Sequence, residues 1–162
     1  MKTFNYFAYG SNMDKTDLDK WCKKKGYNKI KFLNITPVIL KDYKLCFNYF
    51  SISRNCGAAN VMEFKSSNVY GLLIKLPEKD KAKIREKEGH PNYYIEIPIS
   101  VETFEGNLVK GALTYKVIKE KEKKDHQPPS KYYMSLIIKN AENYKFPIDY
   151  INYLKSLDTM FF

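Results

Sequence analysis

Period-two alternation and three-to-four-residue spacing of apolar positions divide this chain into short strands and amphipathic helices. Phe4 to Ala8 predicts a short buried strand that runs into Tyr9-Gly10-Ser11-Asn12, residue types that permit a tight turn and offer local hydrogen bonds. Asp14 to Lys25 predicts a helix: Leu18, Trp21 and Cys22 share one face, acidic residues lie early, lysines lie late, and Gly26 stops it. From Lys31 to Phe50 the chain is strand-like in three pieces, Phe32 to Ile35, Pro37 to Leu40 and Tyr43 to Phe50. Ala58 to Phe64 and Val69 to Leu76 predict a further strand pair, joined by the turn-prone Lys65-Ser66-Ser67-Asn68. Pro77 is placed to open a helix through Glu88 that ends at Gly89, and its thin apolar face predicts a surface position.

Tyr93 to Phe104 alternates in period two, turns at Glu105-Gly106-Asn107 and returns along Leu108 to Ile118, the clearest hairpin in the chain. Lys119 to Pro129 predicts an exposed loop. Ser130 can cap a helix in which Tyr133, Ile137 and Ala141 lie four apart, and a last helix starts near Pro147 with Ile151 and Leu154 inward. No repeat or linker interrupts this order, so residues 1–162 are expected to form a single domain. The many antiparallel-looking strands point away from a doubly wound sheet. The fold class expected is α+β, with a curved mixed β-sheet closing into a small β-barrel flanked by about four helices.

Composition narrows the classes. With 162 residues, 44% of hydrophobic type, the chain can build one core, and no apolar run approaches the ~18 residues that span a bilayer. The N-terminus lacks a basic stretch, an apolar stretch and a small-residue cleavage site, so export is not expected. Three widely spaced cysteines, Cys22, Cys46 and Cys56, suit neither a disulfide framework nor a zinc motif. A cytoplasmic protein with reduced thiols, and with no membrane partner, is the expectation. The net charge of +10 raises the question of nucleic acid, but the lysines are dispersed, and Lys119 to Lys124 nearly neutralises itself. A positive field of this kind also attracts small anionic substrates.

Candidate chemistry sits where the chain turns sharply. The strand-to-helix turn Tyr9-Gly10-Ser11-Asn12 presents several backbone N–H groups in one direction beside a helix N-terminus, an anion or oxyanion cradle, and Gly10 leaves room for close approach. A plain strand-to-helix turn is the competing reading, and the run lacks the spacing of a phosphate loop. At Glu88-Gly89-His90-Pro91-Asn92-Tyr93-Tyr94, a carboxylate faces the negative end of a helix dipole. Partial apolar burial would raise its pKa further, toward general-base work. An exposed helix-end Glu is the alternative there, and the neighbouring Glu86 and Lys87 read as exposed. In Pro128-Pro129-Ser130-Lys131-Tyr132-Tyr133, a tyrosine one turn into a helix either aims its hydroxyl at a fixed place or packs as core. His90 and His126 lack partners at ligand spacing, so no metal is expected. Ser11 lies in no nucleophile elbow.

These pieces together resemble the γ-glutamylcyclotransferase family, which includes the AIG2-like proteins. Tyr6-Phe7-Ala8-Tyr9-Gly10-Ser11-Asn12-Met13 resembles the family's Tyr-Gly-Ser-Asn loop. Cys56-Gly57-Ala58-Ala59-Asn60-Val61 and Val69-Tyr70-Gly71-Leu72-Leu73 resemble two of its strands. Glu88-Gly89 with Pro91, Asn92 and Tyr94, then Pro129-Ser130 with Tyr133, complete the order from Tyr6 to about Leu157. Cys56 stands where a second glycine is common, and Asn60 where a threonine is usual.

The resemblance implies a β-barrel-like fold flanked by helices, often a homodimer, with no metal or cofactor. By position, Glu88 would be the catalytic acid/base. Tyr6, Phe7, Ala8, Tyr9, Gly10, Ser11 and Asn12 would form the loop that holds a γ-glutamyl group. Tyr133 would contact substrate, with Tyr94 and Tyr115 as wall residues. The reaction implied is ring closure of a small-molecule γ-glutamyl amine or amino acid to 5-oxoproline with release of the free amine, an acyl-transfer or lyase chemistry that needs no covalent nucleophile. Two rivals remain: an inactive family member that binds a γ-glutamyl or other small molecule, and a basic nucleic-acid-binding domain, which the scattered lysines disfavour.

Overall fold

The computed structural model describes residues 1–161 and contains five strands: β1 (Thr3–Ala8), β2 (Asn34–Ser51), β3 (Cys56–Pro77), β4 (Tyr94–Thr103) and β5 (Leu108–Val117). They close into a barrel in the order β1-β3-β2-β4-β5. β1 pairs antiparallel with β3 from Thr3↔Pro77 to Ala8↔Leu72, and a parallel bridge Tyr6↔Leu113 to β5 shuts the ring. Four helices flank it: α1 (Lys15–Lys25), α2 (Lys81–Glu88), α3 (Lys131–Asn143) and α4 (Ile148–Ser156). The α+β barrel with four helices is the architecture expected.

Phe7, Val38, Leu72, Ile74, Leu76 and Val117 are buried in the core. Each such side chain contributes about 1.5–3 kcal/mol of transfer free energy. The helix ends follow their signals. The Asp14 carboxylate accepts from the Asp17 N–H and caps α1, and the Ser130 hydroxyl accepts from the Tyr133 N–H and caps α3. Gly89 closes α2 with φ +70°, a left-handed conformation that side chains rarely adopt. Among the described residues, no helix is long and apolar enough to cross a membrane.

One expectation changes. The pieces on either side of Lys65-Ser66-Ser67-Asn68 are one strand, β3, paired antiparallel along β2 from Asn34↔Lys75 to Ser51↔Cys56. Residues 64–67 stand opposite Asp42 alone, where the register shifts between Lys41↔Asn68 and Tyr43↔Glu63. Asp42 (φ 61°) and Ser66 (φ 69°) are left-handed, and the Ser66 N–H donates to the Asp42 carboxylate (3.0 Å). Polar, turn-prone residues therefore make a bulge in a continuing ladder. The connection after β5 is mostly exposed, as expected, and is also strapped to the barrel: Lys123 N–H donates to Asn48 O (2.6 Å), Gln127 N–H to Phe47 O (2.6 Å) and Gly57 N–H to Pro128 O (2.9 Å). A Cβ at Gly57 would lie 1.7 Å from the Gln127 carbonyl oxygen, so the strap requires glycine there.

Candidate active site

A cleft of about 700 Å³ opens where β1 ends, the β2–β3 loop folds over and α2 stops. Ser11 and Asn12 form one wall, Tyr49, Ala58 and Tyr94 another, and Tyr133 enters from α3. Glu88 lines it as the last residue of α2. On α2 the buried Ile84 is followed three and four positions later by Lys87 and Glu88, so helical spacing turns all three to one face.

Neutral donors hold the Glu88 carboxylate. Its Oε1 accepts from the Tyr6 hydroxyl (2.9 Å) and from Asn12 Nδ2 (2.7 Å). Asn12 Nδ2 also donates to the Tyr6 hydroxyl oxygen (2.9 Å), so the three side chains form a closed triangle. Burial raises the Glu88 pKa above its ordinary value, against the opposing pull of the Lys87 charge and the two hydrogen bonds. The Asn12 Oδ1 atom is buried without a partner among the described residues. A buried acceptor in that condition is available to a ligand's donor.

Beside the triangle, Ser11, Asn12 and Met13 form one 3₁₀ turn, in which Met13 N–H donates to Gly10 O (3.1 Å) and Asp14 N–H to Ser11 O (3.0 Å). The N–H groups of Gly10, Ser11 and Asn12 meet no acceptor among the described residues. Successive unpaired N–H groups at a turn are suited to negative charge, and Ser11 and Asn12 among these residues line the cleft.

The remaining residues singled out in the sequence take different places. A Cβ on Gly10 would stand 3.2 Å from the Tyr133 hydroxyl, which accepts from the Ala59 N–H (3.0 Å). Tyr94 donates to Ala59 O (2.7 Å) and meets the Tyr49 ring edge-on at 5.4 Å. Phe7 and Ala8 are buried in the core, and the Tyr9 hydroxyl donates to the Tyr115 carbonyl (2.5 Å). Tyr115 packs edge-on against Tyr6, and its hydroxyl donates to Glu96 (2.7 Å), behind the wall of the cleft. Asn60 is fully buried: its Oδ1 accepts from the N–H groups of Val61 and Val117 (both 2.9 Å), a tie between β3 and β5.

Two cleft cations escaped the sequence reading. Arg54, on the β2–β3 loop, donates to Ser11 Oγ (3.1 Å) and Asp17 Oδ2 (2.8 Å) and lies 5.0 Å from the Tyr133 ring centre. Nothing in its local sequence marks it. Lys87, expected to be exposed, lines the cleft, and its spacing from Ile84 was the available signal. Among the described residues, no group of three or more His, Cys, Asp or Glu is placed to hold a metal ion.

Comparison with known proteins bears on the fold and the family. Residues 68–154 match the profile of the AIG2-like family. The chain is 26% identical to a γ-glutamylcyclotransferase of Mus musculus, over 97% of this chain and 80% of that protein. It is 25% identical to one of Bos taurus with the same two coverages. A solved γ-glutamyl cyclotransferase superposes with a TM-score of 0.82 at 24% identity, covering 99% of this chain and 91% of that one.

Proposed function

Because the chain belongs to the AIG2-like family, we propose that it is a γ-glutamylcyclotransferase-type enzyme that closes a γ-glutamyl amide to 5-oxoproline and frees the amine. One observation carries this reading: Glu88, a carboxylate of raised pKa held by neutral donors, lines the same cleft as Ser11 and Asn12, whose backbone N–H groups are unpaired among the described residues.

The chemistry asks little more. A γ-glutamyl amide brings its own nucleophile, the α-amine, and proximity in a folded-back pose lowers the barrier by several kcal/mol. Glu88 takes a proton from the α-ammonium. The amine attacks the δ-carbonyl carbon, the new C–N bond forms, and the bond to the departing nitrogen breaks as Glu88 returns its proton there. The α-ammonium gives up two protons in all and the leaving nitrogen gains two, so Glu88 ends as it began. Such acid/base help is worth ~10²–10⁴-fold. The N–H groups of Gly10, Ser11 and Asn12 hold the glutamyl carboxylate or the developing oxyanion. Asn12 Oδ1 accepts from the substrate's ammonium, and Tyr133 and Tyr94 close the pocket.

Incubation with γ-glutamyl amino acids, γ-glutamyl amines and glutathione, with mass detection of 5-oxoproline, tests the reading. Product from at least one of them, lost in Glu88→Gln, supports it. Binding with no product would point instead to a γ-glutamyl-binding module.

A further inference from the structure

We propose that the leaving half of the substrate is acidic, an amino acid or short peptide with two carboxylates, met by Lys87 beside the base and by Lys20 and Lys24 at the mouth of the cleft. This rests on the cyclotransferase reading and narrows it.

The charges that face the cleft are unevenly matched. Lys20, Lys24, Lys25, Arg54 and Lys87 line it, against Asp17, Glu86 and Glu88. Arg54 is paired with Asp17 at 2.8 Å and Lys25 with Glu86 at 3.7 Å. Glu88 serves the reaction. Lys20, Lys24 and Lys87 form no ion pair within 4.0 Å among the described residues. Lys20 and Lys24 lie one turn apart on α1, a like-charge placement that is mildly unfavourable for the helix itself. Lys87 is partly buried, and burial together with the Arg54 charge lowers its pKa to about 8, so it stays mostly protonated at neutral pH. A cation so placed is best satisfied by an anion.

The γ-glutamyl half cannot supply that anion in net terms, because its α-ammonium and α-carboxylate cancel. A neutral leaving amine leaves both lysine groups unanswered. A single carboxylate answers only the inner or the outer one. Two carboxylates answer both.

γ-Glutamylglutamate and γ-glutamylglutamine, alike in shape and different by one charge, make the test. For the unaltered protein, kcat/KM should favour the first by tenfold or more, the scale of one charge-assisted hydrogen bond. Lys87→Met or the double change Lys20→Met, Lys24→Met should bring that ratio to within twofold of one, while Lys87→Arg keeps it. A ratio near one in the unaltered protein, or a ratio that survives both changes, overturns the proposal. A purely structural role would lower both rates together and leave the ratio alone. If neither compound yields 5-oxoproline while another γ-glutamyl amide does, the proposal is overturned and the cyclotransferase reading stands; if no γ-glutamyl amide yields it, the cyclotransferase reading has failed. Calorimetric titration of the same pair into the unaltered protein and the same variants then decides the lysine assignment by itself: tenfold tighter binding of γ-glutamylglutamate by the unaltered protein, lost in the lysine variants, supports it, and equal affinity overturns it.

Discussion

Two carboxylates stand on either side of the Tyr6–Tyr115 ring contact, and their surroundings give them opposite characters. Glu96, on β4, accepts from Arg85 Nε and Nη2 (both 2.9 Å) and from the Tyr115 hydroxyl (2.7 Å), and its pKa is lowered to about 2. Glu88 also accepts from a tyrosine, Tyr6, but its other donor is the neutral Asn12, and burial raises its pKa. A fork of positive charge locks Glu96 in its ionised form. Neutral donors leave Glu88 able to take and return a proton. Arg85 lies one turn before Glu88, so the Glu96 pair ties α2 to β4 and steadies the helix end that carries Glu88.

Exchanging each acid for its amide should separate the roles most sharply. Glu88→Gln is expected to cut 5-oxoproline formation by ~10²–10⁴-fold with little change in Tm. Glu96→Gln should do the reverse. Arg85 is 43% exposed, so the pair is screened and worth up to about 1 kcal/mol, about 2–4 °C in Tm by calorimetry, with turnover reduced less than tenfold. Tyr6→Phe removes one donor from Glu88. Its pKa should climb further, the acid limb of the pH–rate profile should move to higher pH, and kcat should fall about tenfold.

Stability against pH carries the smallest effect, with opposite signs for the two acids. Glu96, depressed from 4.5 to about 2, contributes stability that is present above its unfolded value and fades as pH falls through that interval. Glu88, raised above 4.5, favours the folded state fully below that value, and this contribution is lost as pH rises through its folded pKa. Denaturant titrations at several pH values should show Glu96→Gln flattening the acid side and Glu88→Gln flattening the slope above 4.5.

The sequence made the elements legible where a local signal and the tertiary structure agree. Gly26 and Gly89 end their helices, Ser130 caps α3, and the Tyr93 to Ile118 alternation forms β4 and β5. It misled at Lys65-Ser66-Ser67-Asn68, because turn composition is local while the bulge depends on Asp42, 24 residues earlier in the chain. The Glu88 helix end and the Tyr9-Gly10-Ser11-Asn12 turn could each be read as chemistry. Their meeting could not, since Tyr6 and Glu88 are separated by 82 residues and are joined only when β1 pairs with β3. Lys87 was missed for a different reason: a thin apolar face suggested an outward helix, while a single Ile84 was enough to turn its last two residues inward.

The most direct test of the central claim is a ¹³C NMR titration of the glutamate side-chain carboxyls, with Glu88 and Glu96 assigned through their Gln variants. Glu88 is predicted to titrate above the ordinary carboxylate value of 4.5 and Glu96 near 2. A Glu88 resonance that titrates at or below the ordinary value would contradict the account.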